Sequence, residues 1–143
     1  MARFWSKESV QQTIDVMNVD KEHLALAKNL SGKMLIRVLD DPDGMDIVAC
    51  FTFERGRCVD WTYEAEPAPS GLRDRPFRPM VDGLARVTAN YATFAKLDKG
   101  EMEVPDTVNS KDYKIEGNML MLMPYMQAVD SWNRRARSVP KEY

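Results

Sequence analysis

The sequence predicts an α+β fold, in which two short helices lead into a three-stranded meander that is followed by further strands and helices. Apolar residues near the start of the chain recur at helical spacing, and those after residue 33 alternate at strand spacing. Helical spacing returns after residue 90. A chain of 143 residues is long enough to build a core of its own. We therefore expect one domain spanning residues 1–143.

Two helices are predicted at the start of the chain. Ser6 and Asp20 are candidate N-caps, because each precedes a run with apolar residues at helical spacing. The first stripe consists of Val10, Ile14 and Met17, and the second of His23, Leu26, Ala27 and Leu30. Gly32 stands where a left-handed residue would end the second helix.

Three strands joined by short turns are predicted next. Met34, Ile36 and Val38 alternate with other residues before the turn signal Asp41-Pro42-Asp43-Gly44. One face of the second strand carries Ile47, Ala49, Phe51 and Phe53, and one face of the third carries Val59, Trp61 and Tyr63. Cys50 and Cys58 flank the turn between these two strands, so we expect two structural thiols.

A segment near 67–82 is rich in proline and arginine and is too long for an ordinary connection. We expect a lid or a mobile excursion there. Beyond it, the pattern predicts a strand at 84–88, a helix capped by Asn90 and closed by Gly100, and a last strand at 113–116. Pro124 would begin a final helix with Tyr125, Val129 and Trp132 on one side.

The composition argues against several classes of function. The formal net charge of −2 offers no basic field for nucleic acid. No apolar stretch is long enough to span a bilayer, and residues 1–6 lack the apolar run of a signal peptide, so we expect a cytoplasmic protein with at most transient membrane contact. The oligomeric state is left open.

Few residues are suited to catalysis or metal binding. The single histidine, His23, falls on an apolar helix face, where a core or capping role is expected. One histidine and two cysteines do not supply a zinc site, and no Gly-rich phosphate loop is present, so no metal or cofactor is predicted. Glu101 and Glu103 are the best candidates for a carboxylate-based enzyme, although a solvated loop also explains them.

Methionine and aromatic residues are the more distinctive feature. The chain has ten methionines, and four of them crowd one segment, at Met119, Met121, Met123 and Met126. Flexible thioether side chains can line a cavity that accepts apolar ligands, but they can equally fill a core. The aromatic residues of the strands and of the helix after Asn90 allow the same two interpretations.

The block Thr88–Glu101, followed by Tyr113–Met119, resembles the C-terminal half of the sterol carrier protein family. In the N-terminal half, Met17–Asp20 and Leu30–Lys33, with the strand and turn that follow, resemble bacterial stand-alone members. This similarity in element order covers nearly the whole chain. The insert near 67–82 departs from the family pattern.

The resemblance implies a five-stranded, mainly antiparallel sheet covered by helices that enclose an apolar tunnel. It also implies a non-catalytic protein that binds and carries a fatty acyl chain, a sterol or a similar lipid. The tunnel would be lined by aromatic residues and methionines, namely Phe51, Phe53, Trp61, Tyr63, Tyr91, Phe94, Met119, Met123 and Met126.

Two alternatives stay open. The chain could be an accessory subunit that presents an apolar or aromatic intermediate to a partner enzyme. Arg73, Arg75 and Arg78 would then contact that partner or the head group of the ligand. A small hydrolase or isomerase that uses Glu101 and Glu103 is the third hypothesis.

Overall fold

The computed structural model describes residues 1–143, which form a five-stranded sheet with helices on one face. The strands are β1 (Gly32–Leu39), β2 (Met45–Glu54), β3 (Arg57–Pro67), β4 (Ala85–Asn90) and β5 (Lys114–Gly117). The helices are α1 (Lys7–Val19), α2 (Lys21–Leu26), α3 (Tyr91–Lys99), α4 (Met119–Leu122) and α5 (Met126–Arg137). Short 3₁₀ helices cover Gly71–Asp74, Val104–Asn109 and Met123–Tyr125. The predicted α+β class is confirmed.

The sheet is mixed, with strand order β3-β2-β1-β4-β5. β1 pairs with β4 in parallel, and the other three pairs are antiparallel. The expectation of a mainly antiparallel sheet is corrected here, because its central strand β1 has a parallel partner. A parallel pair requires a long crossover connection, and the β2–β3 hairpin together with residues 68–84 provides it.

The two leading helices begin where the sequence predicts. The Ser6 hydroxyl accepts the Ser9 N–H at 3.1 Å, and the Asp20 carboxylate accepts the His23 N–H at 2.9 Å. The predicted end of α2 is wrong, because this helix ends at Leu26. Gly32 instead begins β1 with φ +130°, and a Cβ there would lie 3.0 Å from the Leu84 side chain.

One face of the sheet packs against the helices and forms the core. Strand alternation directs every second residue of β1, β2 and β4 toward this face. The buried residues on it are Met34, Ile36, Val38, Ile47, Ala49, Phe51, Phe53, Ala85, Val87 and Ala89. The α1 stripe of Val10, Ile14 and Met17 packs against them, as predicted.

The segment 68–82 lies on the opposite face of the sheet. Its anchor is Asp46, a fully buried residue of β2 that accepts hydrogen bonds from Arg73 Nε at 2.8 Å and Ser70 Oγ at 2.7 Å. Burial alone would raise the pKa of Asp46, but these hydrogen bonds hold it well below its usual range. Leu72 is buried beside the anchor, and Arg37 donates to its carbonyl at 3.0 Å. The segment is therefore tied to the sheet and does not cover the helical face as a lid would.

The C-terminal third differs from the prediction in two details. Asn90 precedes α3, but the carboxylate that binds at the start of this helix is that of Asp112. It accepts hydrogen bonds from the Asn90 N–H at 2.9 Å and from the Thr93 hydroxyl at 2.7 Å. Gly100 ends α3 with φ +78°, as predicted. Pro124 lies within the 3₁₀ turn between α4 and α5, so the predicted helix starts two residues later. Its predicted face packs on the core with Tyr125, Val129 and Trp132.

Both cysteines are free thiols, as predicted. Burial raises the pKa of Cys50, and it raises that of Cys58 to about 11. Neither thiol is therefore ionised at neutral pH.

None of the helices combines the length and the apolar composition that crossing a lipid bilayer requires.

Candidate functional site

A cavity of about 130 Å³ lies between the sheet and the helices. Of its 20 lining residues, 15 are hydrophobic. The aliphatic part of the wall comes from α1, β1, β4 and α5 and includes Val10, Ile14, Met34, Ile36, Val87 and Val129. The aromatic part comprises Phe4, Trp5, Phe51, Phe94, Tyr113 and Trp132. Such a wall favours an apolar occupant, because most of it offers no hydrogen bonds.

Two pairs of aromatic rings in the wall pack edge to face, which holds them in defined positions. Phe51 and Trp132 have centroids 4.9 Å apart at 84°, and Trp5 and Phe94 have centroids 5.9 Å apart at 62°. Burial raises the pKa of Tyr113 to about 12, so this phenol stays neutral at physiological pH. β2, α3, α5 and the chain before α1 thus meet around one apolar space.

Two of the aromatic residues predicted to bind a ligand line this cavity, Phe51 and Phe94. Phe53 and Trp61 stand behind the wall instead. The Phe53 ring lies 5.3 Å from that of Trp132, and Trp61 stacks on Phe51 at 6.4 Å. Trp61 cannot turn inward without breaking the 2.9 Å hydrogen bond from its indole nitrogen to the Gln11 side chain.

Tyr63 and Tyr91, like Phe53 and Trp61, also lie behind the cavity wall. The Tyr63 hydroxyl donates to the Trp5 carbonyl at 2.8 Å, and the Tyr91 ring lies edge-on to Phe4 at 5.5 Å. Both residues thus hold parts of the wall in place without lining the cavity.

The methionines predicted to complete a tunnel lie on the surface. Met119, Met123 and Met126 are exposed, and Met123 shows 65% of its surface to solvent. Only Leu122 of α4 is buried in the core, so this short helix turns its other apolar side chains outward.

The three arginines of segment 68–82 lie on the other side of the sheet from the cavity. Each is paired within the chain, Arg73 with Asp46, Arg75 with Glu64 and Arg78 with Asp82. The expected contact with a ligand head group is therefore incompatible with a ligand in this cavity, because the sheet stands between them.

A second cavity of about 440 Å³ lies beneath segment 68–82. Four of its nine lining residues are hydrophobic, and its polar lining includes Arg75, Arg78 and Arg86. Arg86 is paired with Glu116 at 2.9 Å, so each of these guanidinium groups already has a carboxylate partner. We regard the first cavity as the candidate binding site, because its wall is more uniformly apolar.

A buried ion pair forms the charged part of the first cavity. Lys141 Nζ donates to the two carboxylate oxygens of Asp98 at 2.9 and 2.8 Å, and both residues line the cavity. Lys141 also donates to the Ala136 carbonyl, and the Tyr143 hydroxyl donates to Asp98. Backbone pairing joins this C-terminal segment to the start of the chain, with the Phe4 N–H 2.7 Å from the Glu142 carbonyl oxygen.

His23, which was expected in a core or capping role, and the carboxylate candidates Glu101 and Glu103 all lie outside the cavity wall. His23 is buried between α2 and α5 with Nδ1 2.8 Å from the Ser131 hydroxyl, and burial, followed by the charge of Arg135, lowers its pKa. Glu101 and Glu103 are exposed, and Glu103 pairs with Arg137 at 3.2 Å. No three or more histidine, cysteine or carboxylate groups cluster where they could hold a metal ion.

Several lining residues were not predicted as binding residues. Val10, Ile14, Met34 and Ile36 were recognised as parts of apolar faces, but periodicity alone does not separate a core position from a cavity wall. Asp98 and Lys141 lie 43 residues apart, so no local pattern relates them.

No protein-family model matches the chain, and no curated protein matches it significantly. Solved structures do match it. A crystal structure of sterol carrier protein 2 superposes with a TM-score of 0.74 at 17% identity, over 96% of this chain and 100% of that one.

Two further structures agree. A conserved hypothetical protein of Thermus thermophilus, described as a candidate sterol carrier protein, has a TM-score of 0.72 at 16% identity and covers 99% of this chain and 92% of its own. Sterol carrier protein 2 of Yarrowia lipolytica, in its apo form, has a TM-score of 0.52 at 13% identity over 91% of each chain. The chain therefore has the fold of sterol carrier protein 2, as the resemblance in its sequence implied.

Proposed function

We propose that this protein binds and carries an apolar small molecule in the cavity between the sheet and the helices. The observation that carries the proposal is a void of about 130 Å³ with a mainly hydrophobic lining, in a fold shared with sterol carrier protein 2. Phe51, Phe94, Trp132 and the aliphatic wall would contact the ligand. The ligand class proposed is a fatty acyl chain, a sterol or a similar lipid.

The size of the cavity bears on how much of such a ligand enters it. Apolar cavities of about 150 Å³ accept benzene, whereas pockets for drug-sized ligands measure about 300–1,000 Å³. The cavity as it stands thus suits a ring or a short alkyl segment. Met126 lies one turn before the wall residue Val129 on α5. We propose that a ligand longer than the cavity extends past Met126 toward Met123 and Met119, whose side chains are flexible.

Burial of apolar surface would supply most of the affinity. Each methylene group removed from water contributes about 0.8 kcal/mol, so six of them contribute about 5 kcal/mol before association costs. One neutral hydrogen bond contributes about 1 kcal/mol net. Shape and volume would therefore decide which lipids bind.

A non-catalytic role fits the arrangement of the reactive groups. His23 is not part of the cavity wall and is engaged with Ser131, and the Asp98 carboxylate in the wall is engaged by Lys141 and Tyr143. A nucleophile needs a neighbouring base near the substrate, and this pairing is not found among the lining residues.

Quenching of tryptophan fluorescence by bromooctane tests the proposal, because Trp5 and Trp132 line the cavity and bromine quenches on contact. We expect saturable quenching in the parent protein. Val129→Phe should weaken it at least tenfold by filling the cavity, while Val108→Phe, at a valine 84% exposed on the surface, should leave it unchanged. Linear quenching in the parent, or equal affinity in Val129→Phe, would contradict the proposal.

A second candidate function is presentation of the bound molecule to a partner enzyme. The observation that favours it is the exposed apolar surface of α4, where Leu120 is 81% exposed and Met119 and Met121 flank it. Exposed apolar patches often mark interaction sites. If this role is correct, a protein that co-purifies from the native host should be retained by the parent and lost by Leu120→Ser. A lone chain in both preparations would exclude the role.

A further inference from the structure

The cavity of about 440 Å³ beneath segment 68–82 differs from the first cavity in both size and lining. Pockets that hold drug-sized ligands measure about 300–1,000 Å³, so this one has room for a small organic molecule. Its floor is the outer face of the sheet, where β1, β2 and β4 contribute Leu35, Val48 and Arg86. The other lining residues belong to the segment, namely Leu72, Arg75, Pro76, Phe77, Arg78 and Asp82.

Two contacts of Arg86 hold the segment over this floor. Its Nη1 atom donates to the Arg75 carbonyl at 2.8 Å, and its guanidinium carbon lies 5.5 Å from the centre of the Phe77 ring. Arg86 is itself fixed by Glu116, to which its Nη2 atom donates at 2.9 Å. Together with the Asp46 anchor, these contacts keep the segment in place, so a ligand need not order it on binding.

The lining of this cavity carries more positive than negative charge. Three of its nine residues are arginines, and only Asp82 is acidic. Next to the lining, Arg37 and Arg86 share a single carboxylate, that of Glu116, at 3.8 and 2.9 Å. The cavity therefore favours an anion over a neutral or cationic ligand.

Arg75 and Arg78 keep hydrogen-bond donors that such an anion can reach. Both residues line the cavity, and their side chains are 50% and 70% exposed. Arg75 donates to Glu64 through Nη1 alone, which leaves its Nε and Nη2 atoms without an acceptor in the protein. Arg78 donates to Asp82 through Nε and Nη2, which leaves its Nη1 atom free. Exposed ion pairs contribute little free energy, so the two carboxylates do not exclude a competing anion.

We propose that this cavity is a second binding site, which takes a small carboxylate with an apolar body, such as an aromatic acid. The carboxylate pairs with the exposed guanidinium groups of Arg75 and Arg78, since guanidinium and carboxylate form charge-assisted hydrogen bonds. The apolar body lies against the hydrophobic lining residues, which are Leu35, Val48, Leu72 and Phe77. This site lies on the other side of the sheet from the first cavity and does not depend on the function proposed above.

The test titrates the isotope-labelled parent protein with naphthylacetate at pH 7.5 and follows the chemical shifts of the backbone amides. We expect saturable shifts at Val48 and Leu72 and none at Ile14 and Val129 in the wall of the first cavity. Naphthylacetamide has the same apolar body without the charge, and it should bind roughly tenfold more weakly, as the loss of a charge-assisted hydrogen bond would give. Acetate, which lacks the body, should not saturate the site.

Variants then test the role of the two arginines. The double variant Arg75→Gln/Arg78→Gln should bind naphthylacetate no more tightly than the parent binds naphthylacetamide. Both native ion pairs are exposed, so this variant should keep its fold, which the amide spectrum reports. Arg134→Gln is the matched control, because Arg134 is also a surface arginine paired with one aspartate but lies in α5. The control should keep the parent affinity for both probes.

The outcomes separate this proposal from the binding function of the first cavity. Equal affinity for naphthylacetate and naphthylacetamide, shifts confined to the wall of the first cavity, or an unchanged affinity in the double variant would overturn the second site. Bromooctane quenching in the same preparation reports on the first cavity alone. The failure of one site is therefore distinguished from the failure of the other.

Discussion

Asp98 and Lys141 form the most deeply buried ion pair of the molecule, with side chains only 3% and 2% exposed. Removing one partner of such a pair leaves the other charge in a medium of low dielectric constant, whereas replacing both by apolar residues is often close to neutral. The two residues therefore contribute to stability as a unit.

We predict that Lys141→Met lowers the free energy of unfolding by about 3–5 kcal/mol, and that adding Asp98→Leu restores most of the loss. Urea unfolding of the single and double variants measures this. Arg134→Met serves as the control, because Arg134 pairs with Asp130 on the surface and such pairs contribute about 0–1 kcal/mol. A Lys141→Met loss as small as that of the control would show that the pair is not coupled.

His23 gives the stability a dependence on pH. It is the only histidine of the chain, and burial, followed by the charge of Arg135, lowers its pKa in the folded state. In the unfolded chain, the His23 imidazole is protonated below about pH 6.5. Because the unfolded state binds this proton more tightly than the folded state does, protonation of His23 leaves the free energy of unfolding unchanged above about pH 6.5 and lowers it as the pH drops below that value.

We therefore expect a lower free energy of unfolding at pH 5.5 than at pH 7.5. Urea unfolding at the two pH values provides the measurement, and His23→Gln should remove most of the difference. Equal stability of the parent at both values, or an unchanged difference in His23→Gln, would rule out this role.

For individual residues, the sequence predicts positions better than partners. Strand alternation and helical spacing are local patterns that place Phe51 and Phe94 on apolar faces, but their assignment to a ligand-lining wall came from the resemblance to the sterol carrier protein family. Trp61 satisfies the same alternation, yet it stacks behind Phe51 because β3 is an edge strand and lies further from the cavity.

Among the elements of the fold, segment 68–82 shows the limit of composition as a guide. Its prolines and arginines suggested a lid or a mobile excursion, but Asp46 and Arg73 tie it to the sheet. An outward-facing aspartate in a strand predicts no particular partner until the segment is folded back on it. The ion pair between these residues should therefore decide whether the segment stays in place.

Arg73→Ala should open this segment and destabilise the protein by about 3 kcal/mol, because it leaves the buried Asp46 without its cation. Limited proteolysis should then cut within 68–82 before the rest of the chain. Arg78→Ala is the matched control, because Arg78 is 70% exposed and pairs only with the partly exposed Asp82. Equal resistance to proteolysis in both variants would mean that the Asp46 anchor is dispensable.

The helices were predicted well where their signals are local. The N-caps Ser6 and Asp20 and the left-handed Gly100 each act on the adjacent turn. The prediction for Gly32 failed because this glycine is required by a contact with Leu84, a residue distant in sequence. A pattern within one turn cannot reveal such a contact.

Across the molecule as a whole, the cavity depends on how the elements come together. Strand and helix order could be predicted from alternation and spacing, but the parallel pairing of β1 with β4 is non-local. That pairing places Ile36 and Val87 side by side, and both line the cavity. α1, α3 and α5 complete the wall from the other side. The proposed function requires that this interior be hollow and accessible to an apolar ligand.

A crystal structure of the protein soaked with bromooctane would show whether the interior admits such a guest, because the anomalous scattering of bromine locates the probe. We predict a bromine peak between the sheet and the helices, in contact with Phe51, Phe94 or Trp132, and no such peak in Val129→Phe. A peak only beneath segment 68–82 or on the exposed surface of α4, or a filled interior with no bromine, would contradict the proposed function.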